Sequence, residues 1–480
     1  MLPPELESIA TNMLARFKLW IEQDTEGTAL PDLLTAEEEI SLFVRCMGRT
    51  MLQALVDIRE AQAKAARKPC SCGRRTEIHR CTRWMRETQL GPVTVHDPFA
   101  YCRTCGGSDR PLHAWLGTDR EVWSMVTQEA ALDLATDESC GKAVEKLERH
   151  HPGVEMGRTT ALRLIHKHGR QAREFIDDKL ADSRQRAEAP PAEATDGAEE
   201  LEVEFDGGMI PVATLETIEV PEGKQPELTP VRKLPKRRKV CRWEEAKVGL
   251  VQKPGEVERL YSLRPTSGLE ASFEDLLALA CMKGWTEQTA VRGIADGARH
   301  IRTHMQETFF ACDFRFILDR PHAKEHLSDA GKELEPMTAV PAQDWAAEAL
   351  EKLEVGDVGA VVDELMRAWE ESGSDEASRN DELRLAAGYF ARNRDAVAYA
   401  EYRSRGWSTA SSEVESAHRH IVQMRVKIPG AWWHPDRVDD ILALRMLKAN
   451  GWWDEYWKKQ RQAWRTRAAN FAEGRHDRAA

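Results

Sequence analysis

Three acidic residues, Asp206, Asp296 and Glu415, stand in local contexts suited to metal-dependent chemistry. Asp206 ends the extended run Leu201-Glu-Val-Glu-Phe-Asp-Gly-Gly208, and Asp296 ends a second one, Ala290-Val-Arg-Gly-Ile-Ala-Asp-Gly-Ala298. Glu415 lies near the start of a helical run that begins at Ser412. Two carboxylates at strand ends and one on a helix can converge on a pair of Mg²⁺ (or Mn²⁺) ions, which take a few carboxylates together with water and phosphate oxygens. Two such ions activate the attacking oxygen and stabilise the leaving one in an in-line phosphoryl displacement. Each assignment has an alternative. Asp206 and Asp296 both precede glycine, and Asp-Gly is also a turn signal. Glu413 competes with Glu415, and residues two apart do not share a helix face, so only one of them points inward.

Cys70-Ser-Cys72 and Cys102-Arg-Thr-Cys105 form a second constellation. Four thiolates bind Zn²⁺ tetrahedrally, and a Cys-x₂-Cys pair presents two sulfurs from one tight turn. The strand-like "TVHDPFAY" before Cys102 fits a zinc ribbon. Because the Cys70–Cys72 spacing is tighter than usual, Cys81 or His79 is an alternative ligand; free thiols are the other reading.

Basic residues mark two further regions. Helices expected near 119–135, 138–150 and 158–177, with a Pro152-Gly153 turn before the last, suggest a helix-turn-helix. Its third helix carries Arg158, Arg163, Lys167, Arg170 and Arg173 on a basic face, with apolar residues left for packing. An ordinary three-helix bundle with a solvated basic face reads equally well. The run Arg232-Lys-Leu-Pro-Lys-Arg-Arg-Lys239, including Lys236, Arg237 and Arg238, offers phosphate contacts or a solvated loop. In Asp319-Arg-Pro-His322, His322 can orient a carboxylate or buttress a neighbouring element, and Asp319 can cap a helix with Pro321 in its first turn.

These residues need elements to hold them. Residues 1–65 read as a helical region, 66–117 as a zinc-ribbon-like module, 118–182 as the helix-turn-helix-like domain and 183–200 as an Ala/Pro/Glu-rich linker. Residues 201–330 alternate: three strands, then helix, strand, helix and strand. That order puts Asp206 on the first strand and Asp296 at the end of the fourth. Residues 331–405 read as an acidic helical insertion, with Val361, Leu365, Met366 and Trp369 inside and Glu364, Glu370 and Glu371 outside. Residues 406–480 carry the Glu415 helix and a basic tail rich in tryptophan. The fold class expected is mixed α+β, in several domains.

At 480 residues the chain can build several sizeable cores. Its net charge of −12 is concentrated in 187–229 and 323–386, and the remainder is basic, so the overall sign does not exclude a nucleic-acid partner. No apolar run approaches the ~20 residues of a membrane span. The N-terminus lacks a leader pattern. Ten cysteines without a leader point to reduced thiols or metal ligands and to a cytoplasmic setting.

Three blocks, "DGGMIPV", "ADGARHI…FRFILDRPHAKEHL" and "SSEVESAHRHIVQMRVKIPGAWW", together resemble bacterial insertion-sequence DDE transposases of the ISKra type, relatives of the Mutator-like elements. The resemblance covers roughly residues 66–460 and is most specific in the last block. It implies a ribonuclease-H-like catalytic domain with Asp206, Asp296 and Glu415 on its acidic positions, and paired cysteines in the ribbon. Asp319 and His322 fall on a motif that follows the second aspartate. It further implies two Mg²⁺ ions, transposon-end and target DNA as partners, a homodimer or larger assembly, and a nucleoid-associated location. The chain departs from the family at Ala410-Ser411-Ser412, where Gly-Ser-Gly is usual. A transposase-derived DNA-binding protein with weak activity and a ribonuclease-H-like nuclease that does not join ends are the rival expectations.

Overall fold

The computed structural model describes residues 4–25, 32–65, 70–116, 121–188, 197–217, 237–372 and 382–473. The chain divides into two compact units, Met1–Ile165 with Trp453–Ala480, and His166–Trp452. The architecture is mixed α+β with one sheet in each unit.

The first unit opens with two helices, α1 (Pro4–Thr25) and α2 (Leu33–Ala65). A three-stranded antiparallel sheet follows, in the order β1 (Glu77–Thr88), β2 (Gly91–Tyr101), β3 (Ser108–Asp109). Alternation along β2 buries Val93 and Val95, which meet Val56 and Ala63 of α2 and Leu112 and Leu116 in a small core. Gln53 of α2 clips β2 by donating to the Thr94 carbonyl at 2.9 Å and accepting its amide at 2.7 Å. Then come α3 (His113–Leu116), α4 (Met125–Asp137) and α5 (Cys140–His150), the latter two capped by Ser124 and Ser139. The boundary between the units falls within the next helix, α6 (Arg158–Glu188).

The second unit is built on a five-stranded sheet. Its strands are β4 (Glu200–Thr217), β5 (Arg237–Gln252), β6 (Arg259–Arg264), β7 (Ala290–Ala295) and β8 (Asp313–Leu318), in the spatial order β6-β5-β4-β7-β8. β4, β5 and β6 form an antiparallel meander, and β7 and β8 run parallel to β4. All the elements expected between 201 and 330 form in the expected order, including α7 (Leu269–Met282) and α8 (Arg299–Thr308).

β4 is two-faced. Leu201, Val203 and Phe205 are fully buried, and Phe205 stacks on Phe273 of α7 with ring centroids 4.7 Å apart. A strand alternates its side chains, so Glu202, Glu204 and Asp206 take the other face. α7 lies so close to β5 that a Cβ on Gly249 would stand 2.7 Å from Leu276 Cδ2.

After β8 the chain leaves the sheet through five helices: α9 (Arg320–Thr338), α10 (Ala342–Glu354), α11 (Val358–Glu371), α12 (Glu382–Arg392) and α13 (Tyr399–Ser404). Val361 and Leu365 form the inner face of α11 as expected, while Met366 and Trp369 are only half-buried. Glu364, expected outside, instead accepts the Trp345 indole N–H at 2.7 Å and pairs with Lys352 at 3.1 Å. The chain returns as α14 (Ser412–Ala417), a π-helical turn (His418–Gln423) and α15 (Met424–Val426), and then α16 (Val438–Ala449). The last helix, α17 (Trp453–Glu473), belongs to the first unit and not, as expected, with the Glu415 helix.

Candidate metal centres

In the first unit the sequence folds two tight turns around sulfur. Before β1, the Gly73 amide donates to the Cys70 carbonyl at 2.8 Å, and the Cys70 amide to that of Arg74 at 2.8 Å. After β2, Gly106 donates to Cys102 at 2.9 Å, and Cys102 to Gly107 at 2.8 Å. Gly73 and Gly106 have φ of 77° and 76°, a left-handed conformation that glycine adopts without strain. A Cβ on Gly107 would crowd Cys70 Sγ at 3.0 Å.

The four sulfurs of Cys70, Cys72, Cys102 and Cys105 lie within 4.8 Å of one another, with Cys70–Cys105 at 3.2 Å and Cys72–Cys102 at 3.6 Å. Four sulfurs ~2.3 Å from one tetrahedral ion stand ~3.8 Å apart, so the cluster can hold a structural metal such as zinc. Cys81 and His79, the alternative ligands, are outside it. Backbone amides of Cys105 and Thr104 bring the Cys102 thiol down to about 6, and the Cys72 amide lowers Cys70. The Gly107 amide acts the same way on Cys105, but the neighbouring sulfurs outweigh it and push that thiol up to about 12.

In the second unit, Asp206 and Asp296 stand at matching places on adjacent parallel strands. The last registered β4–β7 pair is Glu204–Ile294, and each aspartate follows two residues later. Asp206 is not in a turn: β4 continues through Gly207 and Gly208. Gly208 is required for packing, since a Cβ there would collide with the buried His418 ring, whereas one on Gly207 would meet only the flexible end of Glu245. Asp296 does enter a turn. Gly297 has φ 77°, and Asp296 Oδ1 accepts the Ala298 amide at 2.9 Å. Burial raises the Asp206 carboxyl above the ordinary carboxylate range and the Asp296 charge adds to this, while His418 and His322 pull the other way.

The rest of the constellation comes from the chain on either side of the insertion. The buried carboxylate of Asp319 caps α9, accepting the His322 amide at 2.9 Å and His322 Nδ1 at 2.6 Å. Its other oxygen accepts the Ser411 amide at 2.6 Å and the Ser411 hydroxyl at 2.9 Å. Asp319 is therefore a helix cap, as one of the two readings expected, and it also ties the start of α9 to the start of α14. The bond to Asp319, opposed by burial and helped by the charges of Asp319 and Asp206, lifts His322 to about 9. Tyr389 of the insertion donates to the Asp296 carbonyl at 2.7 Å.

α14 lies on the acidic face of β4. The Val414 amide donates to Glu204 Oε2 at 2.7 Å. His418 Nε2 is 3.2 Å from the Asp206 carbonyl and 3.8 Å from its carboxylate, and burial lowers this histidine below its ordinary range against the pull of the Asp206 charge. Glu413 pairs with Arg259 of β6 at 2.9 Å. At ~100° per residue, Glu415 falls on the opposite flank of the helix, turned away from β6. It is exposed and makes no ion pair among the described residues. The three acids are not gathered as closely as the cysteines, which are the one such cluster among the described residues.

Glu204 and His418 escaped sequence reading. Glu204 is fully buried, and burial raises its carboxyl to about 9. Its signal was the alternation of Leu201-Glu-Val-Glu-Phe-Asp206, which puts three carboxylates on one face.

The basic residues are dispersed. Arg158 and Arg163 are exposed in the first unit, Arg158 lying 3.9 Å from Glu145; Lys167 and Arg170 lie in the second. Arg173 is buried and paired with Asp439 at 2.6 Å, which removes it from any free basic face. Arg237 and Arg238 are exposed at the start of β5, whereas Lys236 lies outside the described residues. No helix among the described residues is long and apolar enough to cross a membrane. No protein-family model and no curated protein matches the chain.

Proposed function

We propose that the chain is a DNA transposase of the ISKra type, cutting at transposon ends and joining the freed 3′-hydroxyl to target DNA through a two-metal DDE site. The observation that carries this reading is the place of Asp206 and Asp296 at matching positions on neighbouring parallel strands, with α14 fastened beside Asp206. The order β6-β5-β4-β7-β8, with only β5 antiparallel to β4 among its neighbours, agrees with the strand order expected of a ribonuclease-H-like sheet and supports the reading further. Fold alone would not assign activity.

The residues fit two hard divalent cations. Asp206 and Asp296 would supply the oxygen ligands, and burial with the Asp296 charge raises the Asp206 carboxyl against the pull of His418 and His322, a balance that a bound cation would shift toward the carboxylate. Glu415 completes the set from α14. Mg²⁺ or Mn²⁺, when bound, stabilises charge on the attacking and leaving phosphate oxygens. His322, held as an imidazolium by Asp319, sits within electrostatic range of Asp206 and orients or neutralises it. Asp319 and Ser411 fix where α14 begins and so where Glu415 stands; Ser411 supplies this in the segment that departs from the family's Gly-Ser-Gly. The zinc ribbon and the α4–α5–α6 helices, read as a helix-turn-helix with Arg158, Arg163, Lys167 and Arg170, would recognise the ends. Lys236, Arg237 and Arg238 would contact phosphates. A homodimer or larger assembly pairs the two ends, in a nucleoid-associated, cytoplasmic setting.

A strand-transfer assay with end-containing DNA tests this. Asp206→Asn, Asp296→Asn and Glu415→Gln are each expected to abolish cleavage and joining while leaving end binding intact. Metal-dependent cleavage without joining would identify a nuclease, and end binding without either activity a DNA-binding derivative.

A further inference from the structure

The β4–β5 ribbon runs on past Asp206 and carries an unusual surface. Trp243 of β5 is 56% exposed and Trp432 is 37% exposed, with ring centroids 6.5 Å apart and planes tilted by 59°. Exposed indoles cost solvation unless something covers them, and a patch of this kind marks an interaction site. Each already has a cation against it: Lys239 Nζ is 4.5 Å from the Trp432 centroid and Lys427 Nζ is 5.7 Å from that of Trp243. Among the described residues neither lysine has an acidic partner, and neither does the exposed Arg237 at the start of β5. Indole faces flanked by unpaired cations match neither an apolar protein surface nor an anion alone. They match a chain that alternates flat rings with negative charges.

We infer that Trp243 and Trp432, with Lys239 and Lys427, form a stacking platform for unpaired nucleotides of single-stranded DNA. Bases stack on the indoles and phosphates meet the lysines, the pairing by which proteins hold single strands without reading sequence. The platform lies on the path of the proposed site. Trp243 pairs in register with Pro211, five residues along β4 from Asp206, or roughly 17 Å of strand. Trp433, beside Trp432, is bonded to that same stretch: its amide donates to the Pro211 carbonyl at 3.3 Å, and its carbonyl accepts the Ala213 amide at 2.8 Å. The Lys427 charge is felt at His418, which touches Asp206. A strand whose phosphate lies at Asp206 would thus have its neighbouring bases taken out of the duplex and held here. This rests on the transposase reading for its purpose, but not for its test.

The test uses the full-length protein and a mixed-sequence 20-mer carrying 2-aminopurine, alone and annealed to its complement. The wild type is expected to bind the single strand with quenching of the 2-aminopurine, as an indole stacked on it requires. Trp243→Ala and Trp432→Ala are each expected to weaken single-strand binding at least about tenfold, the usual worth of one stack. Duplex affinity should change less than twofold. Trp243→Phe and Trp432→Phe should stay within about threefold of wild type. Lys239→Gln should flatten the salt dependence of single-strand binding. No quenching in the wild type would overturn the proposal, whatever the variants do. So would an equal loss for single strand and duplex, or alanine variants that bind normally but change the oligomeric state, which would make the surface a protein contact. The catalytic reading fails separately: an inactive site with an intact platform would leave quenching unchanged.

Discussion

The four-cysteine cluster and the acidic site are both candidate metal centres, and they are assembled in opposite ways. The sulfurs come from two turns beside paired strands, and backbone hydrogen bonds and glycines at positive φ fix each turn locally. Thiols also approach one another without a metal, because a protonated thiol carries no charge, and here they lie within 4.8 Å. The carboxylates come from three elements, with a five-helix insertion between the second and the third. Carboxylates repel when they converge without a cation, and burial has already raised Asp206. The first centre has, from local turns alone, nearly the geometry that a structural metal would need. The second is more spread, and the placement of its residues rests on the surrounding staples: Glu204 to Val414, Asp319 to Ser411, and Tyr389 to Asp296.

The largest expected effect tests the first half of that contrast. Cys102 is fully buried, and its segment has little apolar core beyond the contact of β2 with α2. Structural zinc contributes on the order of 10 kcal/mol of folding free energy in small metal-bound modules. Cys102→Ser is expected to lose one zinc per chain by elemental analysis and to expose residues 70–116 to hydrogen exchange. Metal-free wild-type protein with that region still protected would end the zinc assignment.

The acidic site should respond the other way. Asp206→Asn removes a charge that burial disfavours, so melting temperature should hold or rise while strand transfer falls, on the order of a thousandfold. A stability loss as large as that of Cys102→Ser would mean that Asp206 is a structural residue and that the two centres are alike.

Glu204 gives a third, smaller measure through pH. Its folded carboxyl is raised to about 9 against an ordinary 4.5, so its contribution to stability is full below pH 4.5 and is lost as pH rises toward 9. Glu204→Gln keeps an oxygen for the Val414 amide and removes the titration. It should raise stability near pH 8 by about a few kcal/mol and flatten the fall between pH 5 and 9. An unchanged profile in urea denaturation across that range would show that the carboxyl is charged in the fold and is neutralised by something else.

Local pattern told most of the fold. The alternation in Leu201–Asp206, the apolar run of β7 and the helical spacing of α7 and α8 each depend on neighbours in sequence, so element order from 201 to 330 was readable. The cysteine pairs were readable for the same reason. What stayed hidden was set by residues distant in the chain. A turn at Gly207 and Gly208 was the alternative that Asp-Gly offered, yet the strand runs on through them, and Gly208 is bare so that His418 can approach it. Arg173 looked like part of a recognition face, but Asp439, 266 residues away, takes it inside. Glu364 looked solvated, and Trp345 draws it in. The grouping of α17 with the first unit has no local signal.

The smallest effect discriminates most finely within the acidic site, because it separates two glutamates only two residues apart. Glu413 and Glu415 differ by roughly 200° around α14. Val414, Ala417 and His418 are the buried face, and the Glu413–Arg259 pair fixes one flank against β6. Glu415 then occupies the flank away from β6. Glu413→Gln therefore breaks a partly exposed ion pair, worth about 0–1 kcal/mol, and loosens the helix on its β6 flank. Strand transfer should fall less than threefold and melting should barely move, while Glu415→Gln should abolish joining with equally little effect on melting. If joining instead survived in Glu415→Gln and was lost in Glu413→Gln, the third metal ligand would be Glu413. Arg259 would then be its positioning partner.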